Sequence, residues 1–159
     1  MTVPTVVFDI STYPLSPDRR PSMYYGCCYL VEWRRYEHFD PRLPRDIARL
    51  FARLTNAVEI VSFNGEAFDL EVLRLHHGLV TPVPKDGTHT DLAVVLSDEG
   101  RGGSLDETAW LNLGVHKTDI NTLQHDPEHR SHARQACQSD VRLTYRLWKL
   151  YKAGALKFP

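Results

Sequence analysis

The chain has 159 residues and a mass of 18.2 kDa, enough for one hydrophobic core, and we expect residues 1–159 to form a single domain. Hydrophobic residues make up 42% and charged residues 25%, which excludes disordered, collagen-like and low-complexity classes. The net charge of −1 excludes a protein that attracts phosphates over its whole surface.

Nothing in the sequence predicts a membrane or a secreted protein. No apolar run approaches the roughly 20 residues of a membrane span, and the first residues lack the charged-then-apolar pattern of a signal peptide. Cys27 and Cys28 are adjacent and Cys137 is distant, a spacing that fits neither a disulfide framework nor a zinc site. We therefore expect reduced thiols and a cytoplasmic protein.

Hydrophobic periodicity predicts strands and helices in alternation. Short apolar or alternating runs predict five strands, at residues 5–10, 23–33, 36–39, 58–63 and 88–92. Apolar spacing of three and four, together with capping residues, predicts four helices, at residues 44–54, 66–77, 105–113 and 131–152. A polar loop is expected over residues 118–131. This alternation favours an α/β fold in which helices flank a mixed sheet.

Capping signals mark the ends of several helices. Ser104 and Glu107 have the spacing of a capping box, and Gly114 follows as the stop of the same helix. Gly78 is placed as the left-handed end of the second predicted helix. Asp91 is placed to cap a further helix after the fifth strand. We therefore assign structural roles to Glu107 and Asp91.

Three aspartates lie where apolar side chains would be expected. Asp9 follows a Val-Val-Phe run inside the first strand, and Asp69 opens a helix directly after a strand and an Asn-Gly corner. Asp140 shares a helix face with Leu143 and Leu147. A carboxylate near a core is unfavourable unless it is paired, hydrogen-bonded or bound to a metal.

Each aspartate also has a structural explanation, since Asp69 suits a helix N-terminus and Asp9 could accept hydrogen bonds from loop amides. Their joint occurrence on separate elements favours one shared cation instead. Hard oxygen ligands of this kind hold Mg²⁺ or Mn²⁺, and two such ions about 4 Å apart can activate water and stabilise the leaving oxygen of a phosphodiester. We therefore predict Asp9, Asp69 and Asp140 as metal ligands.

Ordered segments of the chain match the motifs of a known family. They are residues 8–12 (Phe-Asp-Ile-Ser-Thr), 64–70 (Asn-Gly-Glu-Ala-Phe-Asp-Leu), 91–92 (Asp-Leu), 104–106 (Ser-Leu-Asp) and 139–144 (Ser-Asp-Val-Arg-Leu-Thr). In this order they resemble the DEDD-type 3′–5′ exonucleases of the ribonuclease H-like superfamily. The resemblance implies a ribonuclease H-like mixed sheet, Mg²⁺ or Mn²⁺ as cofactor, and hydrolysis of phosphodiesters at the ends of single-stranded DNA or RNA.

The chain departs from the family's motifs in two places. The first motif has a second carboxylate two residues after the first, on the same strand face, and Ser11 stands there instead. The family's Tyr or His before the last aspartate is replaced by Ala136 and Gln135, of which only Gln135 could orient a water. Glu66, one turn before the second aspartate, and His132, two turns before the third, are candidates to compensate. Ser11, Glu66 and His132 therefore join the candidate catalytic residues.

These departures leave three hypotheses open. The first is an active metal-dependent exonuclease, and the second is a catalytically impaired domain that binds nucleic acid or a partner protein. The third is an unrelated α/β domain whose aspartates are coincidental. The lost carboxylate argues against activity, because three ligands should hold a second ion poorly. Three aspartates retained at unfavourable positions argue for it, and we favour an enzyme that works on its own or in a larger nucleic-acid-processing complex.

A row of arginines could provide a phosphate-binding surface. Arg45, Arg49 and Arg53 recur every four residues on the first predicted helix, away from its apolar face. Arginine pairs at residues 19–20 and 34–35 could extend this surface. A solvated helix face is the alternative, and the sequence leaves both open.

Overall fold

The computed structural model describes residues 3–13, 22–100, 102–117 and 130–158, with the side chain of Arg130 excepted. The arginine pair at residues 19–20 and most of the loop predicted at residues 118–131 lie outside the described residues. The three predicted metal ligands and all three cysteines lie within them.

A five-stranded mixed sheet forms the centre of the fold. Its strands are β1 (Thr5–Thr12), β2 (Met23–Leu30), β3 (Arg35–Phe39), β4 (Glu59–Ser62) and β5 (Thr88–Asp91). They lie in the order β3-β2-β1-β4-β5, in which β1, β4 and β5 run parallel and β2 runs antiparallel to both of its neighbours. The predicted mixed α/β sheet is therefore confirmed.

Two strand ends differ from the prediction. β1 continues past residue 10, because its ladder with β2 extends and places Ser11 opposite Tyr25. β2 ends at Leu30, earlier than predicted, because the chain turns over the next four residues, where Arg34 has a left-handed φ of 51°.

Helices flank the sheet. They are α1 (Pro44–Thr55), α2 (Leu70–His77), α3 (Leu92–Asp98), α4 (Leu105–Leu113) and α5 (Arg130–Lys152). Within the described part of the chain, no helix is both long enough and apolar enough to cross a membrane.

The helix predicted from residue 66 begins differently from the prediction. A π-helical turn, Gly65–Asp69, comes first and leads directly into α2. The chain leaves β4 sharply, since Asn64 has a left-handed φ of 63°. At Gly65 a Cβ atom would lie 2.6 Å from the Cβ of Ser62, so only glycine permits this approach. This corner determines where Asp69 lies.

Alternate side chains of β1 pack into two cores. Phe8 belongs to a buried cluster with Leu50 of α1, on one side of the sheet. Val7 belongs to a cluster with Val141 of α5, on the other side. Because residues two apart on a strand share a face, Asp9 lies on the side of the sheet that α5 covers.

The arginine row of α1 makes contacts within the fold. Oε2 of Glu37, on β3, lies 2.8 Å from Nε of Arg53 and 3.6 Å from Nη2 of Arg49. Arg49 also pairs with Asp46 at 3.0 Å, whereas the side chain of Arg45 is 81% exposed. These ion pairs favour a structural role for Arg49 and Arg53 over phosphate binding.

Candidate functional site

Three separate elements carry the predicted aspartates. Asp9 lies on β1, on the face that α5 covers. Asp140 lies on α5 and is 6% exposed, and Asp69 ends the π-helical turn and is 5% exposed. Both α5 and the π-helical turn pack against β1. Aspartates distant along the chain thus become neighbours, and we refer to these three as the acidic cluster.

The carboxylates of the acidic cluster act electrostatically on one another. Burial, and then the charge of Asp140, raises the pKa of Asp9 to about 8. Burial, followed by the charge of Asp9, holds the pKa of Asp69 well above its usual range. Burial also raises the pKa of Asp140. Like charges this close disfavour ionisation unless positive charge joins them, so the acidic cluster is suited to take up a cation.

Hydrogen bonds hold two members of the acidic cluster and leave one oxygen open. Sγ of Cys137 lies 3.1 Å from the main-chain oxygen of Asp9 and 3.4 Å from its Oδ2. The main-chain N–H of Ile10 donates to the carboxylate of Asp69. Among the described residues, the buried Oδ1 of Asp140 has no hydrogen-bond partner. A buried oxygen without a donor is expected where a ligand completes the site.

A lysine that sequence reasoning missed lies at the acidic cluster. Nζ of Lys117 is 2.8 Å from Oδ2 of Asp140. Burial acts to lower the pKa of Lys117, but the charge and the hydrogen bond of Asp140 outweigh it, so the pKa is raised and the group stays an ammonium. Lys117 follows α4 in a segment without strand or helix periodicity, and no pattern in the sequence relates it to Asp140.

The acidic cluster opens into a cleft of about 440 Å³. Asp9, Asp140 and Lys117 line it. Further lining residues come from the corner after β4, from α3 and from the N-cap of α4: Asn64, Ala93, Ser97 and Ser104. This volume lies in the range of small-ligand pockets. A ligand that enters the cleft therefore meets two aspartates and an ammonium group.

The donor set fits a hard divalent cation. Three carboxylates supply the oxygen ligands that Mg²⁺ and Mn²⁺ prefer, and Oδ1 of Asp140 is without a donor in the described part of the chain. Over residues 3–13, 22–100, 102–117 and 130–158, no group of three or more His, Cys, Asp or Glu side chains is already arranged as a metal-binding site. The carboxylates would therefore have to close around an ion.

Two other predicted residues lie on the elements of the acidic cluster. Ser11 is half-buried on β1, two residues beyond Asp9 on the same face of the strand. It occupies the place of the missing carboxylate, as the motif comparison indicates. His132 is half-buried on α5, about two turns before Asp140. Their part in chemistry stays a proposal.

Glu66 belongs to a second cleft, of about 340 Å³. Its Oε2 lies 2.9 Å from Nδ1 of His89, and Nε2 of His89 lies 2.8 Å from Oγ of Ser62. Ser62 is fully buried, so this chain of contacts connects β4, β5 and the π-helical turn without presenting an accessible nucleophile. The structure thus pairs the carboxylate of Glu66 with β5, and a compensating role for Glu66 beside Asp69 stays a prediction.

Asp91 caps α3, as its position in the sequence predicts. Its carboxylate accepts the main-chain N–H of Ala93 at 3.0 Å. It also accepts the N–H groups of Asn64, at 2.7 Å, and Glu66, at 2.9 Å. A single buried side chain therefore connects the start of α3 to the corner after β4, beside the acidic cluster.

The sheet order and the acidic cluster agree with the ribonuclease H-like class that the motifs imply. The chain belongs to the ribonuclease H (RNase_H) superfamily, whose family model matches residues 6–125. No curated protein sequence matches the chain significantly.

Solved structures with the same fold include parts of two larger proteins. The family B DNA polymerase from the hyperthermophilic archaeon Pyrobaculum calidifontis matches with a TM-score of 0.69 and 20% identity, over 95% of this chain and 25% of the polymerase chain. The Neurospora crassa Pan2 catalytic unit, which comprises a protease and a nuclease domain, matches with a TM-score of 0.55 and 14% identity, over 96% of this chain and 28% of that one. These matches confirm the resemblance to DEDD-type exonucleases at the level of the fold.

Proposed function

We propose that this protein is a metal-dependent 3′–5′ exonuclease that hydrolyses phosphodiesters at the ends of single-stranded nucleic acids. The observation that carries the proposal is the acidic cluster, in which Asp9, Asp69 and Asp140 come from three elements. All three carboxyl groups have raised pKa values, so a bound cation would favour their ionised forms. Three carboxylates buried together are unfavourable unless a cation joins them, whereas a metal-dependent nuclease requires them.

The proposed reaction adds water to the terminal phosphorus and breaks its bond to the 3′ oxygen, which takes up a proton as a nucleoside monophosphate leaves. Bound Mg²⁺ or Mn²⁺ would lower the pKa of the water and stabilise charge on the phosphate. Asp9, Asp69 and Asp140 would hold the ion, and Ser11 would contribute a contact through water. Gln135, exposed on α5, is a candidate to orient the water, and His132 is a candidate to accept its proton.

A catalytically impaired nucleic-acid-binding domain is the second candidate function. Two observations favour it: Ser11 stands in place of a carboxylate, and Lys117 pairs with Asp140, one of the three proposed ligands. Both reduce the negative charge available to metal ions. A protein of this kind would bind single strands without shortening them.

The setting proposed for this activity is the cytoplasm. Cys27, Cys28 and Cys137 are free and buried, which supports a reducing compartment. The chain spans about a quarter of the polymerase and of the Pan2 unit that share its fold. We therefore propose that it acts beside other nucleic-acid-processing proteins.

The test is a cleavage assay with 5′-labelled single-stranded DNA and RNA, in Mg²⁺ and in Mn²⁺. The wild-type protein should produce a ladder of shortened strands, and Asp140→Asn should abolish it while it preserves the side-chain volume. Asp98→Asn, at the exposed end of α3, is the matched control and should cleave normally. Binding without cleavage by the wild type would support the impaired domain, and cleavage that survives Asp140→Asn would contradict the proposed site.

A further inference from the structure

Lys117 places a positive charge at the acidic cluster. Its ammonium nitrogen lies 2.8 Å from Oδ2 of Asp140, and its charge also acts on Asp9. The side chain lines the cleft and remains 45% exposed, so a ligand that enters the cleft can contact it.

Contacts with residues of α4 hold the main chain at Lys117. Oδ1 of Asp106 accepts the main-chain N–H of Lys117 at 2.5 Å, and its Oδ2 lies 3.1 Å from Nδ1 of His116. The His116 ring stacks on Trp110, with centroids 4.4 Å apart and planes 9° from parallel. Asp106 and Trp110 both belong to α4. The backbone of Lys117 is therefore anchored to a helix.

The charges of the site balance with one metal ion and this lysine. Four carboxylates would match two divalent ions, but Ser11 replaces one of them and leaves three. Three carboxylates carry a formal charge of −3, which one divalent ion and one ammonium group neutralise. Lys117 thus supplies the positive charge that a single divalent ion would leave unmatched.

We propose that Lys117 is a tethered cation of this site, which takes the place of a second metal ion. The acidic cluster then binds one divalent ion, and the ammonium group supplies the remaining positive charge beside the phosphate of the substrate. The first part concerns ion binding alone, whereas the second rests on the proposed nuclease function.

The first test measures Mn²⁺ binding to metal-free protein by calorimetry, without nucleic acid. We expect one ion per wild-type chain. Lys117→Gln should bind Mn²⁺ about tenfold more tightly, because no ammonium group competes for Asp140. Lys117→Arg keeps the charge and should behave as the wild type, as should Lys85→Gln, which alters an exposed lysine elsewhere. Two ions per wild-type chain, or unchanged affinity in Lys117→Gln, would overturn the proposal.

The second test measures cleavage of a labelled single strand at saturating Mn²⁺. Lys117→Gln should cleave at least about tenfold more slowly although it binds the ion more tightly, because the second positive charge is gone. An unchanged rate overturns the role at the phosphate. If the wild type does not cleave but Lys117→Gln gains affinity, the nuclease proposal fails and the tethered cation stands. If the wild type cleaves and Lys117→Gln changes neither quantity, the lysine proposal fails by itself.

Discussion

The thiol of Cys137 donates to Asp9 across the interface between α5 and β1. Its Sγ lies 3.1 Å from the main-chain oxygen of Asp9 and 3.4 Å from Oδ2. Burial raises the pKa of Cys137 well above its usual value, so the group remains a neutral donor. Asp140 follows three residues later, one turn along the same helix. This contact therefore helps to align the two aspartates that line the cleft.

Cys137→Ala should affect both stability and the site. We expect a loss of about 1 kcal/mol in the free energy of unfolding, as for many buried truncations, and weaker Mn²⁺ binding, because the thiol also acts to lower the pKa of Asp9. Cys28→Ala is the matched control, since Cys28 is equally buried but lies in the core on the other side of the sheet. Urea unfolding and calorimetry separate the two effects. Equal Mn²⁺ affinity in both variants would show that the contact does not align the site.

The raised pKa of Asp9 predicts that the metal-free protein loses stability as pH rises. The folded chain keeps a proton up to a pH of about 8 that the unfolded chain releases near its ordinary value of 3.8. The contribution of Asp9 to stability is therefore complete below the lower value and is lost as pH rises through the upper one, at up to about 1.4 kcal/mol per pH unit.

Asp9→Asn removes this proton exchange and should make the stability profile less steep between about pH 5 and pH 8, whereas Asp69 and Asp140, whose pKa values are also raised, keep part of the slope. The measurement is urea unfolding at both pH values with a chelator present. Asp98→Asn, which changes an exposed aspartate, should keep the slope of the wild type. Parallel profiles for Asp9→Asn and the wild type would mean that Asp9 does not hold the proton.

Ser11→Glu should restore the missing carboxylate. The new side chain would lie two residues from Asp9 on the same strand face, so we expect about tenfold tighter Mn²⁺ binding and faster cleavage. Without metal, the added like charge should lower the melting temperature. Ser11→Gln has the same size without the charge and should show neither the gain nor the loss. No difference between the two variants would mean that the register of the first motif is wrong or that another residue already fills this place.

Asp91→Ala should strongly destabilise the protein. Asp91 is buried and accepts three main-chain N–H groups at 2.7–3.0 Å, which the variant would leave without an acceptor. We expect a loss of about 2–4 kcal/mol in the free energy of unfolding. Asp86→Ala, at an exposed position in the loop before β5, should change it by less than about 0.5 kcal/mol. A similar change in the free energy of unfolding for both variants would show that the hydrogen bonds of Asp91 do not stabilise the fold.

Features that depend on neighbours in sequence were predictable. The helix from residue 105 to 113 has the predicted bounds, because Ser104 and Glu107 form a reciprocal capping box and Gly114 adopts the left-handed conformation. The aspartates of the acidic cluster could also be singled out from the sequence, because a carboxylate on an otherwise apolar face is visible as an exception to a local pattern. Their role as metal ligands stays a prediction.

Features that depend on contacts between distant segments were not predictable. Oε2 of Glu66 contacts Nδ1 of His89 on β5, more than 20 residues away, and no sequence pattern indicates this partner. Lys117 pairs with Asp140 on α5 while Asp106 of α4 accepts its main-chain N–H. Neither contact leaves a periodic signal, since each depends on how elements pack and not on how one element is built.

The π-helical turn limits how this corner of the protein can diverge. Each residue of an ordinary helix advances the chain by about 100°, so deleting or adding one residue within Gly65–Asp69 would swing the Asp69 carboxylate away from β1. Such a change rotates the Asp69 side chain about the helix axis, and a longer loop elsewhere does not reverse that rotation. Related chains that keep the acidic cluster are therefore expected to vary in this turn by substitution. The number of residues between the end of β4 and the aspartate should stay constant.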